Sequence, residues 1–445
     1  MLDYICSADE SGDGMSKTTT GILKKSDFCS ISFAALMAIV VSLVLVLQQV
    51  VFSASWKAVG PSGGSFLGSV TSPTDANQIT VVTTSSSLSN VYRSYDGGVT
   101  WTKIGEIPYN SYIEDVSAFD FSKLFAIRYT GCYRSTDGGV SWSYVSFPFM
   151  SGDAYCVCVD PTNPDMVYAA GCNRNPDDTY SFAFFKSTNG GQNWSASSFF
   201  TFDDFYLYDM AISKTNPDII YVCGRKVEGS SYSGALFKTI NGGSGWSDIS
   251  SSVGSQIVEL YSVAIDPTDE DRIYAGSGYL HRSTNGGSSW TKNPIYFYAR
   301  TICIDPVNPS NIYVAGFGDV FVSTDYGVSL VPYYDCIRGL AAHVEVAQAV
   351  PSTVYVSTDA GLFKSTNSGS TWNSTDEGIY ESCIVALAAA PSTVIVQNNG
   401  YLMAYEGSGN NAWRDVVTPP SCGIVCDILI DYNNTDIVLI LEDYG

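Results

Sequence analysis

The sequence predicts an all-β chain: a β-propeller of four-stranded antiparallel blades, preceded by a transmembrane or signal helix near the N-terminus. Three observations carry this. An octapeptide recurs at intervals of blade length, paired β-branched and aromatic runs precede each copy, and one long uncharged segment lies close to the start. The chain divides accordingly into a cytoplasmic or signal n-region at 1–30, a hydrophobic signal or anchor helix at 31–53, and a repeat region at 56–445.

The octapeptide reads Ser94-Tyr-Asp96-Gly-Gly98-Val-Thr-Trp101 in its first copy and Ser135-Thr-Asp137-Gly-Gly139-Val-Ser-Trp142 in its second. Later copies are Ser187/Asn189/Gly191/Trp194, Thr239/Asn241/Gly243/Trp246, Ser283/Asn285/Gly287/Trp290, Ser323/Asp325/Gly327/Leu330 and Ser365/Asn367/Gly369/Trp372, and 401–413 reads as a decayed eighth. Their starts are separated by 41, 52, 52, 44, 40 and 42 residues, the period of a four-stranded unit. Asp or Asn at the third position can accept backbone N–H groups within its own turn, Gly supplies positive φ, and Trp covers the hairpin with apolar surface. Asn replaces Asp freely among the copies, and an acid catalyst needs a carboxyl, so the octapeptide is a fold device rather than a site.

Before each copy stand an apolar run, an Asp-Pro or similar turn, and a β-branched run ending in Gly. Val263-Ala-Ile-Asp266-Pro267 followed by Ile273-Tyr-Ala-Gly276 is one instance. Each unit therefore reads as strand A, tight turn, strand B, loop, strand C, octapeptide turn, and strand D from the Trp.

The pattern S-x-D-x-G-x-x-W resembles the Asp box, or BNR repeat, of sialidases, sortilin-type receptors, xyloglucanase-type glycoside hydrolases and photosystem II stability/assembly factors. The resemblance covers roughly 56–445 and implies the propeller fold, with the boxes at the blade periphery. It does not single out a function. A sialidase would need an Arg triad announced by a F/Y-R-I-P motif, and 56–93 contains only Arg93, inside strand C, so a working sialidase is rejected. Gly63-Gly64 after Trp56 is similar to the opening of the xyloglucanase type. That family's acid and base are implied to come from two facing propellers, and 445 residues hold at most one complete ring.

Composition narrows the chemistry. The chain is 45% hydrophobic and 13% aromatic, with 22 Lys and Arg against 44 Asp and Glu for a net charge of −22. Such a surface repels phosphate backbones, so nucleic acid is excluded as a partner. The two His, His281 and His343, cannot furnish a multi-His metal centre, no GxxxxGK[ST] loop is present, and no metal or cofactor is expected.

Ile31 to Phe52 is uncharged over 22 residues and follows Lys24 and Lys25, which keeps the N-terminus cytoplasmic and places everything after Ser53 outside. The protein is thus expected to be extracytoplasmic, secreted if the segment is cleaved at Ser53-Ala54-Ser55 or held to the membrane through 31–52 if it is not. Residues 1–14 are acidic and unlike a signal n-region, whereas Met15 begins one. Of the cysteines beyond this segment, Cys156 with Cys172 and Cys422 with Cys426 are the disulfide candidates, while Cys158 and Cys303 read as small hydrophobes on buried strands. Asn193, Asn373 and Asn433 begin glycosylation sequons.

Trp56-Lys-Ala-Val59 resembles a lone strand D, eight A-to-D units follow, and Cys426–Asp431 with Asp436–Leu441 read as strands A and B of a ninth. Two closures stay open: a ring of eight or nine blades completed by both termini, or a piece of a longer protein.

With the octapeptide and Asp-Pro turns on one face, the opposite face is built from the D–A and B–C loops. Its D–A loops read as aromatic and acidic: Tyr109, Tyr112, Phe147, Phe149, Phe199-Phe200-Thr-Phe202-Asp203-Asp204-Phe205-Tyr206, Tyr296-Phe297-Tyr298, Tyr333-Tyr334-Asp335 and Tyr380-Glu381. The first residues of the inner strands, Asp115, Tyr155, Tyr208, Tyr261 and Arg300, are expected to ring the mouth of the central channel. Tyr155, Tyr208, Tyr261, Arg300, Tyr298 and Tyr334 are the candidate ligand contacts, because flat aromatic faces suit sugar rings and extended peptides. Aromatics at such positions equally serve to pack one loop on the next.

Glycoside hydrolysis would need two carboxylates about 5–5.5 Å or 6.5–9.5 Å apart, and Asp115, Asp203, Asp204, Asp209, Asp335 and Glu381 are the candidates. The leading expectation is a non-catalytic binder of a polysaccharide or an extracellular or membrane protein. A glycoside hydrolase and a membrane-associated assembly scaffold are the alternatives.

Overall fold

The computed structural model describes residues 65–375, apart from short segments at 73–74, 85–88, 108–114, 119–121, 129, 149–151, 255–256, 335 and 348, and the strand backbone between 384 and 443. The N-terminal segments 1–30 and 31–53, Trp56, Tyr109, Tyr112, Phe149, Asp335, Tyr380, Glu381 and Cys422 lie outside the described residues, as do the side chains of Asp115 and Cys426.

Seven successive four-stranded antiparallel sheets, each ordered A-B-C-D, form a propeller. Their inner strands are Ser65–Thr71, Asp115–Ala118, Ala154–Val159, Asp204–Ile212, Ser262–Asp266, Thr301–Ile304 and Ala341–Val346. Each inner strand packs beside the next, and the seventh packs beside the first.

The octapeptide closes every C–D hairpin in one way. Ser94 Oγ accepts the Gly98 N–H at 2.7 Å and donates to Asp96 Oδ1, which also accepts the Thr100 N–H at 2.8 Å. Asp137 and Asp325 hold the N–H groups of Ser141 and Ser329 at 2.9 Å. In the amide copies the same Oδ1 does the work: Asn189 accepts the Asn193 N–H at 2.9 Å, Asn241 the Gly245 N–H at 2.8 Å, Asn285 the Ser289 N–H at 2.9 Å and Asn367 the Thr371 N–H at 2.9 Å. Only an acceptor oxygen is needed, which is why Asn and Asp interchange.

The box tryptophans do more than cover their own hairpins, which corrects the sequence expectation. Each packs on the apolar cluster shared with the preceding blade, Trp194 against that of blades two and three, Trp246 three and four, Trp290 four and five, and Trp372 six and seven. The chain turns through positive φ at both residues before each indole's hairpin strand, Gly pairs in most boxes and Ser368-Gly369 in the last. Four indoles are anchored by donating to the box carbonyl: Trp101 to Gly98 at 3.1 Å, Trp142 to Gly139 at 3.0 Å, Trp290 to Gly287 at 3.1 Å and Trp372 to Gly369 at 2.9 Å. Trp194 and Trp246 depart from this, their buried indole N–H groups having no hydrogen-bond partner. Their rings instead meet aromatics edge-on, Trp194 with Phe147 at 4.9 Å and Trp246 with Phe182 and Phe184 at 5.0 and 5.1 Å.

An apolar cluster fills each space between blades, for example Cys156, Tyr168, Phe182 and Phe184 against Phe205, Leu207 and Phe237 between the third and fourth. A polar latch repeats beside these clusters. The Tyr221 hydroxyl and Lys238 Nζ of blade four both donate to the Gly286 carbonyl in the octapeptide of blade five, at 3.0 and 2.9 Å.

The ring closes at seven blades, which corrects the expectation of eight or nine. Phe66, Ile79 and Val81 of the first blade pack with Ala347, Tyr355 and Leu362 of the seventh. Glu345 Oε1 accepts both the backbone N–H and the hydroxyl of Thr71, at 2.8 and 2.6 Å, and Trp101 Nε1 donates to the Thr375 carbonyl at 2.6 Å. The eighth unit does form a four-stranded sheet, Ile384–Ala390 to Trp413–Asp415, but it follows the ring. Its first strand packs on the two-stranded sheet of Ile424–Ile430 and Val438–Asp443.

The expected Cys156–Cys172 disulfide is not formed, and both are buried as thiols. The ladder sets Cys156 opposite Ala170 rather than Cys172, and the Cys172 sulfur meets the Tyr155 hydroxyl at 3.6 Å. Cys158 and Cys303, expected on buried strands, are only half-buried and border the central channel.

Candidate functional site

The inner strands surround a central cavity of about 930 Å³, with Tyr155, Tyr208, Tyr261 and Arg300 in its wall. Local backbone irregularity aims several of these residues. In the pairing of the fourth blade's first two strands the register slips between Leu207 and Asp209, leaving Tyr208 as the extra residue of a β-bulge. Tyr155, Leu67 and Ala342 occupy the same bulged position in blades three, one and seven. A bulged residue leaves the ladder and turns its side chain away from the pleat. All four border the cavity, so its wall is aromatic on one side and small or aliphatic on the other.

The aromatic side is continuous. The Tyr208 and Tyr261 rings lie 5.6 Å apart, Tyr261 and Tyr298 6.4 Å, and Tyr298 and Tyr296 5.9 Å, all tilted or edge-on. Tyr155 extends the row through Tyr206 at 6.0 Å. The Arg300 guanidinium lies over the Tyr261 ring at 4.9 Å. Arg225 stacks on Tyr206 at 4.8 Å and forms an ion pair with Glu259 at 2.8 Å. Burial raises the phenol pKa of Tyr208 and Tyr261, and the nearby Glu259 carboxylate adds to both shifts, so the hydroxyls stay protonated donors.

Of the candidate carboxylates among the described residues, Asp203, Asp204 and Asp209, only Asp209 borders the cavity. Desolvation pushes its carboxyl up to about 6, although Oδ1 accepts the Met210 N–H at 2.7 Å and Oδ2 the Val263 N–H at 3.0 Å. Oδ2 thus ties blade four to blade five, while Oδ1 is held within its own strand. Asp203 accepts the Gly229 N–H and Asp204 its neighbour Phe205 N–H, so each carries a turn. None of the box residues Asp96, Asp137, Asn189, Asn241, Asn285, Asp325 and Asn367 borders the cavity, nor do Trp194, Trp246, Trp290 and Trp372. No group of three or more His, Cys, Asp or Glu that could hold a metal occurs among the described residues.

Several aromatics expected on the loop face are packing residues. Phe199, Phe200 and Phe202 belong to strand D, Ser195–Phe202, and Phe205 to the next strand A, with only Asp203 between the two strands. They join the cluster between blades three and four. Phe147 stacks on Phe185 at 4.4 Å and Phe297 on Phe321 at 3.9 Å. Tyr334 is 63% exposed, meets Phe321 edge-on at 6.0 Å and does not border the cavity. Arg225, Glu259, Lys214 and His343 belong to the site without any sequence pattern that singles them out as site residues. The long B–C hairpin of blade four, Ile220–Glu228 with Ser231–Thr239, carries Arg225 to the mouth, and an unusually long 52-residue interval is its visible sign.

The seven-bladed ring, with an octapeptide turn closing each of its C–D hairpins, defines a β-propeller fold. Solved structures agree at the level of fold. An ancestral GH74 enzyme matches at 15% identity and TM-score 0.57, covering 88% of this chain and 68% of that one. YCF48 from Cyanidioschyzon merolae matches at 18% identity and TM-score 0.50, covering 70% of this chain and 98% of its own. YCF48 bound to D1 peptide matches at 15% identity and TM-score 0.50, covering 70% and 94%. No family model and no curated protein matches the chain.

Proposed function

We propose that the protein is a non-catalytic, extracytoplasmic propeller that binds an extended polysaccharide on the aromatic side of its channel mouth. One observation carries this reading: the row of Tyr208, Tyr261 and Tyr298, in which Tyr208 and Tyr261 line a cavity able to take a ligand and Tyr298, which does not border it, adjoins Tyr261. The non-catalytic reading is supported by Asp209, the one carboxylate bordering the cavity among the described residues, which holds a backbone N–H on each oxygen, whereas hydrolysis needs two available carboxyl groups. The extracytoplasmic placement rests on the uncharged segment 31–52 behind Lys24 and Lys25.

A protein ligand is the second reading, favoured by YCF48 having been solved with D1 peptide bound. Affinity electrophoresis of the full chain in non-ionic detergent, against a panel of polysaccharides and extended peptides, separates the two. Retardation by a polysaccharide, weakened by Tyr208→Ala and Tyr261→Ala with unchanged thermal unfolding, is the expected result. Retardation by peptides alone shifts the function to a protein scaffold. Release of reducing sugar from any retarding polymer overturns the non-catalytic reading.

A further inference from the structure

The chain carries twice as many acidic as basic residues, yet the wall of its central cavity reverses that balance. Among the described residues, the basic and acidic side chains bordering it are Lys214, Arg300, His343 and Asp209, beside the phenols of Tyr155, Tyr208 and Tyr261. Asp209 is committed to the Met210 and Val263 N–H groups. Neither Arg300 nor Lys214 forms an ion pair among the described residues, although Arg225 nearby is neutralised by Glu259. Glu345, at the opposite end of the channel, is held by Thr71 and faces His343 at 3.5 Å.

Arg300 spends the face of its guanidinium on Tyr261, which leaves the N–H edge for a ligand. A lone cationic edge in a low-dielectric cleft attracts an anion even when the outer surface is acidic, because field lines concentrate in the cleft. The exposed Tyr298 and Tyr296 continue from Tyr261 as flat faces spaced for a chain of rings.

Resting on the polysaccharide reading above, we infer that the ligand is an acidic glycan, a uronate polymer whose carboxylate pairs with Arg300 while neighbouring sugar rings lie along Tyr261 and Tyr298. Arg300 is then the specificity-determining residue, and Lys214 supplies a second cationic point deeper in the channel. The planar guanidinium edge matches a carboxylate with two parallel hydrogen bonds, a selectivity that neutral sugars cannot exploit.

The test is calorimetric titration of the full chain in non-ionic detergent with tetragalacturonate, with the neutral cellotetraose, and with an acidic tetrapeptide. Tetragalacturonate is expected to bind about tenfold or more tighter than cellotetraose, in line with a charge-assisted pair. Arg300→Gln should abolish that preference, read as the ratio of the two sugar affinities within the variant, with thermal unfolding unchanged, and Tyr261→Ala should weaken both sugars. Lys214→Gln guards against a folding defect in the Arg300 variant and is expected to reduce the preference only in part. Equal affinity for the two sugars in the native chain, or an Arg300→Gln preference equal to the native one, overturns the inference and leaves the binding reading standing. Binding of the acidic peptide in place of both sugars overturns the glycan assignment, and binding of none of the three overturns the inference together with the polysaccharide reading.

Discussion

Lys364 Nζ donates to the carbonyl oxygen of Gly97 at 2.6 Å, across 267 residues of sequence, and Tyr355 reaches the same carbonyl at 3.4 Å. This pair repeats, at the closing joint, the latch that Lys238 and Tyr221 make on Gly286 between blades four and five. The joint that completes the ring therefore uses the same contact as the joints within it.

Replacing Lys364 by Met should lower the unfolding free energy by about 1.5–3 kcal/mol, the range for a hydrogen bond with a charged partner. Lys238→Met should cost a similar amount, and urea denaturation compares the two. Gly98→Ala should also destabilise the closing joint. Gly98 sits at φ +91, and an added Cβ would lie 2.3 Å from Thr375 Oγ1. Wild-type stability in all three variants would remove the latch as a source of closure.

Acid and neutral pH should act on different parts of the ring. Hydrogen bonds from Thr100 and Ser94 hold the Asp96 carboxyl at about 2, below its ordinary 3.8. A depressed carboxylate stabilises the fold above its unfolded pKa, and that contribution disappears as pH falls from about 4 to about 2. Asp209 is opposite in sign. Its folded value of about 6 means that stability from this group is full below pH 4 and declines as pH rises through 6. Asp209→Asn should therefore flatten the stability profile between pH 4 and 7, whereas Asp96→Asn should flatten it only below pH 4. Chemical denaturation at half-unit pH steps reads both, and an unchanged profile in either variant contradicts its assignment.

Cys156 and Cys172 are predicted to alkylate fully in denaturant without reductant, because neither is in a disulfide in the fold. Mass spectrometry of the tryptic peptides decides the matter. A linked peptide pair would show that the strand register around Ala170 is different from the one described here.

Much of this was legible in the residues. The seven intact octapeptides mark seven C–D hairpins, because a box is a local device whose hydrogen bonds close within five residues. The positions of Tyr155, Tyr208, Tyr261 and Arg300 beside the channel follow from counting back from each Asp-Pro turn. The blade number was visible only in part. Ile395 and Ala404 stand in the eighth unit where Tyr355 and Lys364 stand in the seventh, and Tyr405 stands where Ser365 opens the box. The eighth unit thus lacks both halves of the latch, a signal whose meaning depends on knowing that the latch exists. The loop aromatics were harder still, since Phe199–Phe205 reads equally as an exposed loop or as two strands meeting at Asp203.

The sequence by itself determined the all-β class, the four-stranded unit and the chemistry of each turn, since these depend on contacts between residues near one another in the chain. Tertiary structure alone decided where the ring closes, which aromatics reach the channel and which charge the channel presents. Closure depends on the first unit meeting the seventh, where Phe66, Ile79 and Val81 share one buried cluster with Ala347, Tyr355 and Leu362. The charge that the described cavity wall presents depends on which carboxylates find partners, as Glu259 does in Arg225, while Arg300 forms no ion pair among the described residues. Both are differences between interactions of residues far apart in sequence, and no local pattern of residues records their outcome.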